Sequence, residues 1–124
     1  MNLLLDTHTL LWSLIDDPQL PSEIRTAIDE NTVYISAASI WEIRIKQSLG
    51  KLEFVPSNFY EIIKSLPAVL LPITADHAHA VGNLPLHHRD PFDRILIAQA
   101  QLEDLLLVTA DKKIQHYGIP ILLF

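Results

Sequence analysis

The sequence predicts an α/β protein: a three-layer α/β/α sandwich around a central, mainly parallel sheet of about four to five strands. Three observations lead there. Leu3-Leu4-Leu5 and Leu105-Leu106-Leu107-Val108 are short, unbroken apolar runs bounded by polar residues, the pattern of strands buried on both faces. Segments of helical length separate the strand candidates. Strands that alternate with helices call for right-handed parallel crossovers, which lay helices on both faces of the sheet.

Each element has its own signal. Residues 2–6 form the first strand, and residues 9–15 a short helix broken by Asp16-Asp17-Pro18. Ser22 is placed to N-cap a helix through Glu30, with Pro21 just ahead of it. Residues 32–35 alternate and are β-rich, a second strand. Ser36 or Ser39 starts a helix to Leu49, and Gly50 supplies its stop. Pro56-Ser57-Asn58 precedes a helix over 59–65. Residues 68–73 read as a third strand despite Pro72, and Thr74 starts a helix to about Asn83. Residues 84–90 read as a loop. Pro91 suits the first position of a helix running to about Glu103. Residues 105–109 are the fourth strand, followed after Asp111 by a short helix that Gly118 ends. Residues 120–123 make an edge strand, where Pro120 is tolerated. No repeat, linker or low-complexity tract interrupts this order, so residues 1–124 are expected to be one domain.

Bulk properties narrow the function. Hydrophobic residues make up 49% of the chain and the mean hydropathy is +0.24, high for a soluble domain. No apolar stretch reaches the ~18–20 residues that span a bilayer, and no signal-peptide pattern opens the chain. The surplus apolar surface predicts a protein–protein interface, most simply a homodimer. The absence of cysteine excludes disulfides and thiolate metal sites and fits a cytoplasmic location. A net charge of −6 argues against clamping nucleic acid by charge alone.

The acids carry the chemistry. Asp6 and Asp111 each follow an apolar strand, so a parallel sheet delivers both to its carboxyl edge, where ligands bind. Each is also a ready N-cap. Asp90 precedes Pro91 as an N-cap would, which puts Asp93 at the third helical position, favoured by the helix dipole. Glu42 has a surface partner in Lys46 at i+4, yet it shares a helical face with Ala38, Ile45 and Leu49. A carboxylate in an apolar stripe needs compensation or takes up a proton. Acids gathered without matching bases are held by a cation. An all-oxygen set without Cys favours Mg²⁺ or Mn²⁺, which points to metal-assisted hydrolysis.

Four segments resemble the signature blocks of PIN-domain proteins, and among them the VapC-like toxins of type II toxin–antitoxin modules. They are Leu4-Leu5-Asp6-Thr7-His8-Thr9-Leu10-Leu11-Trp12, Ile35-Ser36-Ala37-Ala38-Ser39-Ile40-Trp41-Glu42-Ile43, His88-Arg89-Asp90-Pro91-Phe92-Asp93-Arg94-Ile95-Leu96-Ile97-Ala98-Gln99-Ala100 and Leu107-Val108-Thr109-Ala110-Asp111. The resemblance implies a PIN-like fold and a Mg²⁺- or Mn²⁺-dependent endoribonuclease that forms homodimers and is silenced by a cognate antitoxin. It implies hydrolysis of RNA by a metal-activated water, leaving 5′-phosphate and 3′-hydroxyl ends. By position, Asp6, Glu42 and Asp93 match the family's core acids and Asp111 the fourth, more variable one. Counting back from Ile97-Ala98-Gln99-Ala100 selects Asp93 over Asp90. Thr109 matches a supporting hydroxyl residue, and Thr7, Asp90 and Arg94 are expected beside the site or facing substrate.

The remaining polar residues are read as follows. His77 and His79 lie two apart and face apart on a helix; His87 and His88 are adjacent and poorly placed to share an ion, so no structural zinc is expected. His87, His88 and Arg89 form either a solvated loop or the approach to the site. Arg44, Lys46, Lys51, Arg89, Arg94, Lys112 and Lys113 fall in or just after the acidic blocks, which suits a polyanionic substrate. Trp12 and Trp41 are expected in the core or at a dimer contact. A phosphorelay receiver would want paired acids after the first strand, but Asp6 stands alone. An aspartyl-phosphate phosphatase would want an acid where His8 stands. A non-catalytic PIN-fold binding module is separable only by assay.

Overall fold

A computed structural model describes residues 1–124. Five parallel strands form one sheet in the order β3-β2-β1-β4-β5. They are β1 (Asn2–Leu5), β2 (Thr32–Ser36), β3 (Val69–Leu71), β4 (Leu106–Thr109) and β5 (Ile121–Leu123). The connecting helices are α1 (Thr7–Leu14), α2 (Ser22–Glu30), α3 (Ala37–Ser48), α4 (Phe59–Ser65), α5 (Ala75–Ala80) and α6 (Pro91–Leu102).

The triple leucine of β1 makes the sandwich. Successive strand residues point to opposite faces. Leu3 and Leu5 enter one core with Ile35, Phe59 and Ile63, while Leu4 enters the other with Leu96, Ile97 and Leu107. A strand buried on both faces is apolar throughout, which is why no alternation shows in its sequence. Each fully buried leucine contributes roughly 1.5–3 kcal/mol relative to exposure.

The strand order places the site. The chain winds from β1 outward through β2 to β3, then crosses back to lay β4 on the other side of β1. The reversal leaves a crevice outside the carboxyl ends of β1 and β4, where α/β sheets bind ligands. Receiver-type sheets run 2-1-3-4-5, so the receiver alternative falls on topology.

Several boundaries differ from expectation for local reasons. Helix α1 begins at Thr7 because Asp6 accepts a hydrogen bond from Thr9 N at 2.9 Å. Ser22 is the first helical residue of α2, not its cap: Pro21 holds the cap position, and its carbonyl accepts from Ile24 and Arg25. The helix from Thr74 ends at Ala80 and tightens into a 3-10 turn, Val81–Asn83. The segment after Asp111 is likewise 3-10, Lys112–Tyr117, and Gly118 closes it at φ +68°. The apolar stripe expected around Glu42 is buried only at Ala38; Ile45 and Leu49 are exposed. Trp12 packs half-buried against the core, but Trp41 is 58% exposed, edge-on to Phe92, and so is not a core residue. No helix is long and apolar enough to cross a membrane.

Candidate active site

Short-range hydrogen bonds fix the two strand-end acids. Asp6 caps α1 and is 3% exposed. Its backbone N–H bonds to Val108 O, and Thr9 Oγ1 donates to the same carbonyl, both at 3.1 Å, which pins the end of β1 to the end of β4. Asp111 caps the 3-10 turn by accepting from Lys113 N at 2.9 Å, and its own N–H donates to the buried Thr109 hydroxyl at 3.0 Å. Asp6 and Asp111 line one open cavity of about 290 Å³ with His8, Trp12 and Ala110. The capping and site roles therefore coincide.

The other acids come from helices. Ser36 ends β2 and caps α3 through Ala38 N. One turn on, Glu42 is buried and accepts from Lys46 Nζ at 2.9 Å. The buried Thr7 hydroxyl donates to Ser39 Oγ at 3.0 Å, clasping the start of α1 to α3. Asp90 caps α6, accepting from Phe92 and Asp93 N–H, so Asp93 occupies the third helical position.

Asp93 is where the fields meet. Burial, then the negative charges of Asp90 and Asp6, with a smaller push from Glu42, raise its carboxyl to about 7, against the pull of His88. Repulsion from Asp6 and Glu42 at this one carboxyl means three distant stretches of sequence share a locale. At Asp111 burial pushes the carboxyl up, but hydrogen bonds from Lys113 N–H and His88 prevail and hold it below its ordinary value.

These opposite shifts predict a pH profile. The folded chain keeps a proton on Asp93 that the unfolded chain releases above its ordinary 3.8. Stability without metal should therefore fall as pH rises from about 4 to about 7, by at most ~1.4 kcal/mol per pH unit, then level. Asp111 acts in the opposite sense: its contribution is present above its unfolded value and is lost only at more acid pH. Denaturant melts across pH 4–8 in EDTA test this, and a profile unchanged by Asp93→Asn would refute it.

Three residues take positions that the sequence left open or placed otherwise. His88 is inside the site, with Nε2 at 2.7 Å from Asp111 Oδ2 and 3.1 Å from Asp93 Oδ2. The three offer ligand atoms all within 4.8 Å of one another. A local signal existed: a histidine two residues before an N-cap can close a ring onto the cap's N–H, as His88 Nδ1 does with Asp90 N. Arg94 turns its guanidinium to the carbonyls of Val81, Leu84 and Pro85 and to Tyr117 Oη, at 2.9–3.3 Å, not to the acids. His77, 1% exposed, joins a polar network with buried Gln99 and exposed Glu103.

The PIN domain family matches residues 3–120. The chain belongs to the PIN-domain family. No curated protein matches it in sequence. Its fold is similar to that of VapBC2 from Rickettsia felis, solved bound to a DNA fragment from its promoter. The TM-score is 0.77 at 18% identity, over 99% of this chain and 98% of that one. DNA-bound VapBC from Salmonella typhimurium gives a TM-score of 0.75 at 19% identity, over 98% and 97%. A toxin–antitoxin complex from Klebsiella pneumoniae gives 0.65 at 22% identity, over 96% and 94%. At such identities these neighbours speak for the fold. This PIN domain thus carries Asp6, Asp93, Asp111 and Glu42 around the carboxyl edge that its topology opens.

Proposed function

We propose that this PIN domain is a divalent-metal-dependent endoribonuclease, the toxin of a toxin–antitoxin module acting in the cytoplasm. The observation that carries the reading is the crowding of carboxylates at Asp93. Such crowding is costly unless a cation neutralises it. The donor set fits one: carboxylate oxygens dominate, so Mg²⁺ or Mn²⁺ suits it better than a thiophilic ion. Asp6, Glu42, Asp93 and Asp111 would hold the metal, which supplies Lewis acidity at a phosphoryl oxygen and lowers the pKa of water.

The chain's own residues do the rest. Asp6 and Asp111 are fixed by their caps, so they need little reordering when substrate arrives. Asp93 must give up its proton before it can ligate. Thr109 orients Asp111 through the backbone, and Asp90 sets the start of the helix that bears Asp93. Lys46 and Lys113 border the acids and suit a phosphate backbone.

Partners follow from the neighbours, which are toxin–antitoxin complexes. We read a cognate antitoxin as the partner of this chain and RNA as its substrate. A homodimer accounts for exposed Trp41, Ile45 and Leu49 on one helix.

The test is cleavage of labelled RNA by purified protein with EDTA, Mg²⁺ or Mn²⁺, with Asp93→Asn as control. Cleavage should appear only with metal and only in the wild type. Metal binding with no cleavage of any RNA offered would favour a binding module that kept the fold.

A further inference from the structure

His88 looks like a nitrogen ligand, because its Nε2 lies within hydrogen-bond distance of both the Asp93 and the Asp111 carboxylates. The other side of the ring argues otherwise. The backbone N–H of Asp90 donates to His88 Nδ1 at 3.1 Å. A backbone amide can only donate, so Nδ1 must present its lone pair. In the neutral ring the hydrogen then resides on Nε2, which leaves Nε2 no lone pair for a cation. Shifting that hydrogen to Nδ1 would set two N–H groups against each other.

The loop holds the ring in this pose. His88 N–H donates to Tyr117 Oη at 2.8 Å, and Asp90 is fixed as the cap of α6. Arg94 grips the carbonyls of the preceding turn and the same Tyr117 hydroxyl. With the loop backbone held so, turning the ring would strip the Asp90 N–H of its Nδ1 acceptor.

We propose that His88 is a positioning residue that donates through Nε2–H to Asp111 with the Asp93 carboxylate alongside at 3.1 Å, aims the two carboxylates at the cation and does not ligate it. The proposal rests on the metal-nuclease reading above. It sorts His88 with the groups that orient ligands, whose loss typically weakens metal affinity about 10–100-fold.

Mn²⁺ bound to the full chain and read by electron paramagnetic resonance tests it. The wild type should bind Mn²⁺ without the ¹⁴N coupling of a directly bound imidazole. His88→Gln, which keeps an N–H donor, should bind within about threefold of the wild type, while His88→Leu should lose about 10–100-fold. A ¹⁴N coupling in the wild type that vanishes in His88→Gln would overturn the proposal, as would equal affinity in His88→Leu and the wild type. If the wild type binds no Mn²⁺ at all, the metal-nuclease reading itself fails, and this assignment with it.

Discussion

Asp93→Asn should stop RNA cleavage and, in EDTA at pH 8, melt higher than the wild type. The two effects have one cause. At that pH the wild-type carboxylate is ionised in a half-buried position beside Asp90, Asp6 and Glu42. An amide of the same shape removes the charge and its repulsion. The gain is roughly 2–4 kcal/mol, which for a chain of this size raises Tm by about 5–10 °C. The His88 hydrogen bond goes to Asp111 and is kept, so little is lost in exchange. Activity moves the other way, because the neutral amide is a poor ligand for a hard cation. Loss of several kcal/mol at the transition state lowers the rate on the order of 10³-fold or more. Mn²⁺ should raise the wild-type Tm by mass action and leave the variant's nearly unmoved. Calorimetry with and without metal reads all of this. Retained cleavage would remove Asp93 from the metal set. A lower Tm in EDTA would mean that the carboxylate stabilises the apo fold through its helix-dipole position, contrary to the repulsion argued above.

The parts of the site that were legible in the sequence are those fixed by local geometry. Asp6 and Asp111 could be placed because a strand-end acid in a parallel sheet has only one edge to go to, and the crossover beside β1 brings the two ends together. Pro91 sets the helix frame, so Asp90 as the cap and Asp93 at the third helical position could both be read, and the structure has them so. Glu42 stood out as an acid on a face shared with Ala38, though Ile45 and Leu49 on that face proved exposed. His88 was left between a solvated loop and the approach to the site because its pose depends on Tyr117, whose hydroxyl takes its backbone N–H from 29 residues along the chain. Trp41 was left between the core and a dimer contact, because an apolar residue on a helix reads the same whether it faces a core or a partner surface; its exposure excludes the core. The helix starts at Ser22 and Thr7 were missed by small margins because capping depends on which neighbouring carbonyl or carboxylate meets the free N–H groups.

Gln99→Leu should lower stability sharply, the opposite sign from Asp93→Asn on the same helix. Gln99 is fully buried between α6 and the sheet. Its Oε1 accepts from Ser36 Oγ at 2.6 Å, and its Nε2 donates to Pro72 O and lies 3.3 Å from His77 Nδ1. Ser36 in turn caps α3, and His77 Nδ1 takes the Thr74 N–H while Nε2 bonds Glu103. One amide therefore links the helix carrying Glu42, the end of β3, α5 and the helix carrying Asp93. Leucine fills the volume but offers no polar atom. The buried Ser36 hydroxyl loses its acceptor, which costs about 1–3 kcal/mol, while the carbonyl of exposed Pro72 loses a donor that water can replace. The loss, roughly 1–3 kcal/mol, lowers Tm by about 5–10 °C. Gln99→Glu is the sharper comparison, because its carboxylate keeps the bond from Ser36 but buries a charge beside Pro72 O and His77 Nδ1, and its stability should recover as pH falls. Thermal melts of both variants at pH 5 and pH 8 decide it. Wild-type stability in Gln99→Leu would show that the network does not brace the site, and the alignment of α3 with α6 would have to come from apolar packing alone.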